Sequence, residues 1–535
     1  MGRYLYGASI QGIQNYIFQT NELKDIIGAS ELVNEICHKF KAMYGEDSEH
    51  RGKMIVHAAG NIKCIFDDED ACRDAVRNFP RFAMEMAPGI TISQAVVKIK
   101  DDSEYAKKAE ELEQRLHAQR NHPVKSLTTG LMAIERSRKT GLPATKVEET
   151  KKKVEYLDEG TVAKRDVVKK EEGNLSGQTK DLKDLYDKLT GERIPSKRRP
   201  YDISKMTDRN DWIAVIHADG NGLGEIVAEL SGDYQRFKAF SDNLNEATIA
   251  AARAAYAATK EKEEDEKANG TWEKMPIRPI VIGGDDLTVI CRGDLAVKFV
   301  EEYLEAFERE TQALTAQKLT ACAGIAFIKS SYPFYYGYNL AEALCGEAKK
   351  DAKSDKVKEA NGNQAPSCLM FHKVQSSFVE DYAEIKRKEL TTSDGGSLCF
   401  GPYYLNKESI DKIDKTEDGK RRSRWSIDEL IDQRDKLAKE ENNRAKTAIR
   451  QWLTLMHEDA GAAAQHSKRF TTINQDKPDL KSIYKDATTG IVRIEAKDKN
   501  PVDAKDKEPK LYPAYDILSL LTISEQLTKP NQKTK

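Results

Sequence analysis

The sequence predicts an α+β chain made of two ferredoxin-like units, a charged insertion between them and a mainly helical C-terminal domain. Three observations predict it. Apolar runs and amphipathic stretches follow the order strand, helix, strand, strand, helix, strand, and this order occurs twice before residue 350. Between the two copies lies a stretch poor in apolar residues and dense in Lys and Glu. Past residue 385 helical spacing replaces the strand signals.

The first unit is expected over 1–138. Its strand 3–8 leads into helices near 12–19 and 27–43, then strands 53–58 and 61–66, helix 68–87, strand 90–99 and helix 103–118. Residues 139–208 form the insertion. Glu148, Glu149, Lys151, Lys152, Lys153, Lys169, Lys170, Glu171 and Glu172 crowd it, and it closes on Pro195-Ser196-Lys197-Arg198-Arg199-Pro200. A short charged helix and a solvated linker are expected there, with a protein or RNA contact through Lys197, Arg198 and Arg199 as the sharper alternative.

The second unit is expected over 209–385: strand 212–218, helices across 221–260, strands 277–283 and 286–291, helix 295–315, strand 320–328 and helix 337–350. A split sheet in this order is the layer scheme of a palm domain. The Lys- and Glu-rich run 259–274 reads as a loop or as an extension of the preceding helix. Residues 386–535 carry helical signals at 427–438, 442–458 and 513–527, where Pro513 suits the first turn of the last helix. Gly419-Lys420-Arg421-Arg422-Ser423-Arg424-Trp425 combines cations with an aromatic ring, a composition suited to nucleic acid. The plainer reading is a charged loop anchored by Trp425.

The chemistry concentrates at two strand ends. Trp212-Ile213-Ala214-Val215-Ile216 runs into Asp219-Gly220-Asn221-Gly222, and Ile280-Val281-Ile282 runs into Gly283-Gly284-Asp285-Asp286. If the first strand neighbours the hairpin, Asp219 falls beside Asp285 and Asp286. Three carboxylates repel one another unless cations join them, and Mg²⁺ favours oxygen ligands completed by substrate phosphates. Two such ions roughly 3.5 to 4 Å apart can activate an attacking hydroxyl and stabilise a leaving phosphate. Gly283 and Gly284 leave room for a nucleotide. Lys349, on the last helix of the unit, is a candidate point charge for a triphosphate. The Asp-Gly-Asn-Gly-Leu-Gly run lacks the dinucleotide-binding fingerprint. His217 is expected to pack rather than to ligate.

In the first unit Ala58-Ala59-Gly60-Asn61 stands where the second has its Gly-Gly-Asp-Asp, and Ser9 stands where the second has Asp219. That copy keeps the architecture without the carboxylates. It could hold a second nucleotide, shape a composite pocket or serve only as packing.

Taken together, four segments resemble the Cas10 family, the large palm-containing subunit of type III CRISPR effector complexes, in its Cmr2-like branch. They are Tyr6-Gly7-Ala8-Ser9-Ile10-Gln11-Gly12-Ile13-Gln14-Asn15-Tyr16-Ile17-Phe18, Gly28-Ala29-Ser30-Glu31-Leu32, His217 to Gly224 and Pro279 to Asp286. Tyr335 to Tyr338, running on to Lys349, and His372 to Ser377 fit the same family. The resemblance implies two facing, nucleotidyl cyclase-like palms, the second linking ATP into cyclic oligoadenylate with two Mg²⁺ or Mn²⁺ ions. It implies Asp219, Asp285 and Asp286 as catalytic metal ligands, and Gly220, Asn221, Gly283, Gly284 and Lys349 around the nucleotide. RNA and other effector subunits are the partners it implies. The sequence departs from the family where a histidine-aspartate nuclease domain and a metal knuckle are usual: the first palm motif begins at Tyr4, and the eight cysteines show no Cys-x-x-Cys spacing. DNA cleavage is therefore not expected, and the chain reads as a shortened effector subunit or as a related signalling enzyme of a different defence system. A non-catalytic nucleotide-sensing scaffold and a templated polymerase are the competing functions.

Composition constrains partners less. With 86 basic and 88 acidic residues the formal charge is −2, so no global field draws nucleic acid and any contact must be local. No apolar run reaches the roughly 20 residues of a membrane span, and a cytoplasmic protein is expected.

Overall fold

The computed structural model describes the chain apart from residues 1, 59, 102–103, 123–132, 151–152, 172–184, 208–211, 231–232, 269–273, 377–380, 414–422, 494–508 and 529–535. Its first sheet takes β1 (Arg3–Gln11), β2 (Lys53–Ala58), β3 (Asn61–Phe66) and β4 (Thr91–Ile99) in the order β2-β3-β1-β4, antiparallel throughout. Side chains of β1 alternate between two cores. Tyr6 joins the main one, under α2 (Leu23–Tyr44) and α3 (Glu69–Met86), while Leu5 meets Leu112 and Leu116 of α4 (Tyr105–Arg120) on the other face. A short α1 (Ile13–Ile17) follows β1 directly.

The second sheet repeats that order in the four strands at one end. β7 (Trp212–Gly220), β8 (Ile277–Gly283), β9 (Asp286–Arg292) and β10 (Ala321–Lys329) lie as β10-β7-β9-β8, again antiparallel. Both β7 and β10 are buried almost along their whole length. That explains why they read as unbroken apolar runs without alternation. α7 (Leu223–Leu230), α8 (Tyr234–Ala268), α9 (Ala296–Thr315) and α10 (Phe334–Ala352) supply the helices. The charged run after 259 is helix as far as Ala268.

Two sequence expectations change here. First, the described part of the insertion is packed structure, not solvated linker. β5 (Ala144–Thr150) and β6 (Lys153–Asp158) form a hairpin, and α5 (Glu159–Glu171) lies along α2. Arg165 on α5 is buried and reaches Asp25 of α2 at 2.8 Å, with Glu148 at 2.9 Å and Glu155 at 3.1 Å from the hairpin. The charges that suggested solvent instead satisfy one another across three elements. Near α6 (Leu185–Thr190), Arg199 is also interior: its guanidinium lies 5.2 Å from the Tyr186 ring centre and its Nε donates to the Ile194 carbonyl. It is not free to meet RNA.

Second, the sheet continues past residue 385. After α11 (Asp355–Ala360), β11 (Cys368–Lys373) adds parallel to β10; beyond α12 (Tyr382–Glu389), the short β12 (Tyr403–Tyr404) and β13 (Trp425–Ser426) extend it to seven strands, with α13 (Lys407–Ile413) between them. Arg424 is buried and holds Asp351 of α10 at 3.0 Å, and Trp425 packs on Phe400. The end of the basic patch thus anchors the sheet; residues 419–422 lie outside the described residues. Helices α14 (Ile427–Ala438), α15 (Asn443–Glu458), α16 (Ala460–Ile473), α17 (Pro478–Thr488) and α18 (Ala514–Thr528) complete a mainly helical end. No described helix is long and apolar enough to cross a membrane.

Candidate active site

Strand register brings the acidic residues together. Ala218 pairs with Leu287, so Asp219 at the end of β7 comes beside Asp286 at the start of β9. Gly283 pairs with Asp286 and leaves Gly284 and Asp285 as a two-residue turn. Gly284 has φ +64°, a left-handed conformation that a side chain there would oppose. A Cβ on Gly220 would come within 3.1 Å of the Asp285 Cβ, so that glycine lets the end of β7 approach the turn. One oxygen from each of Asp219, Asp285 and Asp286 lies within 4.8 Å of the other two. Among the described residues this is the one cluster of three or more His, Cys, Asp or Glu side chains with metal-binding spacing.

The electrostatics mark the cluster as short of positive charge. Burial, and then Asp219, push Asp285 up to about 6; burial, with Asp285 and Asp219 behind it, pushes Asp286 up to about 7. Lys349 opposes both shifts. It reaches over from α10 to form an ion pair with Asp219 and donates to the Gly220 carbonyl at 2.8 Å. An oxygen-only donor set that holds protons near neutrality for want of a cation fits Mg²⁺ or Mn²⁺.

Asn221 is placed differently. Its amide donates to Thr320 Oγ1 at 3.1 Å and Cys322 Sγ at 3.3 Å, and its backbone N–H goes to the Thr320 carbonyl, so it ties the loop to β10. His217 is buried beside Thr288, 3.2 Å from its Oγ1, and edge-on to Tyr338; burial lowers its pKa. It packs, as the sequence suggested.

A cavity of about 860 Å³ opens between the two sheets. Gly283, Asp286, Thr288 and Tyr338 line it from the second; Ile10, Gly12, Gln14, Asn34, His57 and Gly60 line it from the first. Its size suits a nucleotide-scale ligand. Gln14 donates to Tyr338 Oη and to Glu342, both at 2.9 Å, and Phe18 stacks on Tyr338 at 4.1 Å, which fixes this wall to α10. In the first sheet Ser9 pairs with Asn61 and donates to its Oδ1 at 3.0 Å, where the second sheet has Asp219 and Asp286. Sequence reasoning missed Asn245 and Thr248 of α8. The Gly284 N–H donates to Asn245 Oδ1 at 3.3 Å, and Thr248 Oγ1 donates to the Gly284 carbonyl at 2.6 Å. Their spacing on one helix face was the only signal, and nothing local said what that face meets.

Residues 212–358, which contain the three aspartates and Lys349, match the protein family described as Cas10/Cmr2, second palm domain. That stretch is therefore similar to the second palm domain of Cas10/Cmr2 proteins. Solved Csm1 structures share the fold of this chain. The apo Csm1-Csm4 cassette matches at a TM-score of 0.53 and 13% identity, the Csm1-Csm4 subcomplex of the type III-A CRISPR-Csm interference complex at 0.51 and 14%, and the cassette in complex with pppApApA at 0.52 and 13%. Each match covers 99% of this chain and 70% of the other. A comparison with curated proteins finds no match.

Proposed function

We propose that this protein is a Cas10/Cmr2-like, metal-dependent nucleotidyltransferase that joins ATP units into cyclic oligoadenylate or a related cyclic nucleotide second messenger. The observation that carries the reading is the cluster of Asp219, Asp285 and Asp286 at the edge of an inter-sheet cavity. In the overall reaction a ribose hydroxyl of one nucleotide bonds to the α-phosphorus of another, and pyrophosphate leaves. Divalent ions held by the three carboxylates would favour the hydroxyl's deprotonation and offset phosphate charge. Lys349, already at the cluster, presents a further cation to a polyphosphate. Gly283 and Gly284 add no side-chain bulk beside the aspartates, and the cavity walls orient the reacting groups, which contributes to rate by proximity.

The adenylate part of the proposal draws support from solved Csm1-Csm4 cassettes of this fold bound to pppApApA and to one ATP. Partnership with other CRISPR effector subunits and RNA is proposed on the same likeness, with residues 1–138 as a metal-free palm, 209–385 as the catalytic palm and 386–535 as the C-terminal domain. One observation favours a second reading, a nucleotide-sensing scaffold: Lys349 already partners Asp219, so the cluster is partly neutralised from within.

Mass spectrometry of the products decides between them. The full chain is incubated with Mn²⁺ or Mg²⁺ and each nucleoside triphosphate, with candidate RNA and effector subunits, beside an Asp285→Ala/Asp286→Ala control. The proposal expects cyclic adenylates that disappear in the control. Nucleotide binding without pyrophosphate release under every condition favours the scaffold.

A further inference from the structure

α8 does more than cover the second sheet. Its N-terminal end is built into the first palm: Tyr234 is buried in the cluster of Leu5, Ile55 and Tyr105, its ring 5.4 Å from that of Tyr105. Lys53 of β2 hydrogen-bonds the Tyr234 hydroxyl and stands 4.4 Å from its ring centre. One turn on, Phe237 packs against the same cluster, with Lys63 of β3 over its ring. Further along, Asn245 and Thr248 hold the two backbone polar groups of Gly284.

Those positions form one stripe. Residues 234, 241 and 248 recur every seven, and 237 and 245 fall between them, so a single helix face meets the first palm, the cavity and the metal turn in succession. The distance from Tyr234 to Thr248 along the axis is about 21 Å. The clamp falls where it matters for geometry. In a two-residue hairpin the central residues have no ladder partners, and glycine crosses readily between left- and right-handed conformations. A flip at Gly284 would swing the peptide that carries Asp285. Thr248 and Asn245 oppose it from both sides of the residue.

We propose that α8 is a strut through which the first palm sets the geometry of the metal-binding turn, with Thr248 and Asn245 as positioning residues and Tyr234 as the anchor. This rests on the reading that Asp219, Asp285 and Asp286 bind the metal. The first palm, which lacks the three cluster aspartates, thereby has a task other than ligand binding.

The test is Mn²⁺ titration of the full-length protein by electron paramagnetic resonance, with thermal unfolding of every variant. Thr248→Val keeps the shape and removes the donor; its Mn²⁺ affinity is expected to fall ~10-fold, the scale of losing an outer partner of a metal ligand. Thr248→Ser keeps the hydroxyl and is expected to restore affinity, which a packing role would not predict. Tyr234→Leu is expected to weaken Mn²⁺ in the same direction from the far end of the helix; if it fails to fold, Lys53→Met loosens the same anchor. Unchanged affinity in Thr248→Val, beside complete loss in Asp285→Ala/Asp286→Ala, overturns the clamp. A weakened Thr248→Val with unaffected anchor variants overturns the strut. Retained Mn²⁺ binding in the aspartate variant contradicts the metal-site reading itself.

Discussion

The two palms share an order of strands and differ at the positions where chemistry would occur. In the first, Ser9 and Asn61 face each other across β1 and β3 and satisfy one another at 3.0 Å. In the second, the same corner holds Asp219 and Asp286, joined by Asp285 and countered by Lys349. One site is neutral and closed on itself. The other keeps carboxylates so close that burial and mutual repulsion push Asp285 up to about 6 and Asp286 up to about 7. The fold tolerates either arrangement, so the sheet does not require the aspartates, and their presence points to a cation.

The largest effect should come from removing that difference. Asp285→Ala/Asp286→Ala is expected to lower product formation by more than the ~10² that outer partners cost, whereas Ser9→Ala/Asn61→Ala should leave Mn²⁺ affinity unchanged and cost only ~1 kcal/mol of stability for the lost hydrogen bond. Parallel metal titrations and denaturant melts read both. Equal effects of the two double variants on Mn²⁺ would erase the contrast.

Next comes Lys349→Met. With no ammonium at the cluster, Asp285 and Asp286 lose the group that opposes their upward shifts. Protonation should then persist to higher pH, and the pH at which Mn²⁺ binding is half-maximal should rise. Steady-state kinetics should show KM for the nucleotide raised ~10-fold if the lysine also meets phosphate.

A smaller effect sharpens the comparison through pH. A carboxyl whose folded pKa is raised stabilises the fold while protonated, and that contribution is lost as pH climbs through the folded value. For this pair the loss runs from about 4, the ordinary carboxylate value, through about 6 for Asp285 and about 7 for Asp286. The metal-free protein should therefore lose stability from this site between about pH 4 and 7. Asp286→Asn should flatten the slope, and the rise in melting temperature on adding Mn²⁺ should grow with pH. Ser9→Ala/Asn61→Ala should change neither trend.

Much of the comparison was legible in the sequence. β7 and β10 announce themselves as apolar runs, the turn glycines set the hairpin, and setting Ala58-Ala59-Gly60-Asn61 beside the acidic hairpin aligned the two sheets before any coordinates were needed. Hidden features share a cause: they depend on contacts distant along the chain. Arg165 reads as one more charge in a charged stretch, and only α2 crossing α5 makes it the partner of Asp25. Arg424 reads as part of a basic patch, and only the sheet's extension sets it on Asp351. Asn245 and Thr248 are ordinary helix residues until the hairpin turn arrives beside them. Composition ranks a charge by its neighbours in sequence, whereas burial depends on its neighbours in space.

The central claim is that the second palm holds the metal and the first does not. Anomalous scattering from crystals of the full-length protein grown with Mn²⁺ tests it most directly. The account predicts anomalous density between Asp219, Asp285 and Asp286 and none beside Ser9 and Asn61. Density at the first palm, or an empty aspartate cluster at saturating Mn²⁺ and pH 8, would contradict it.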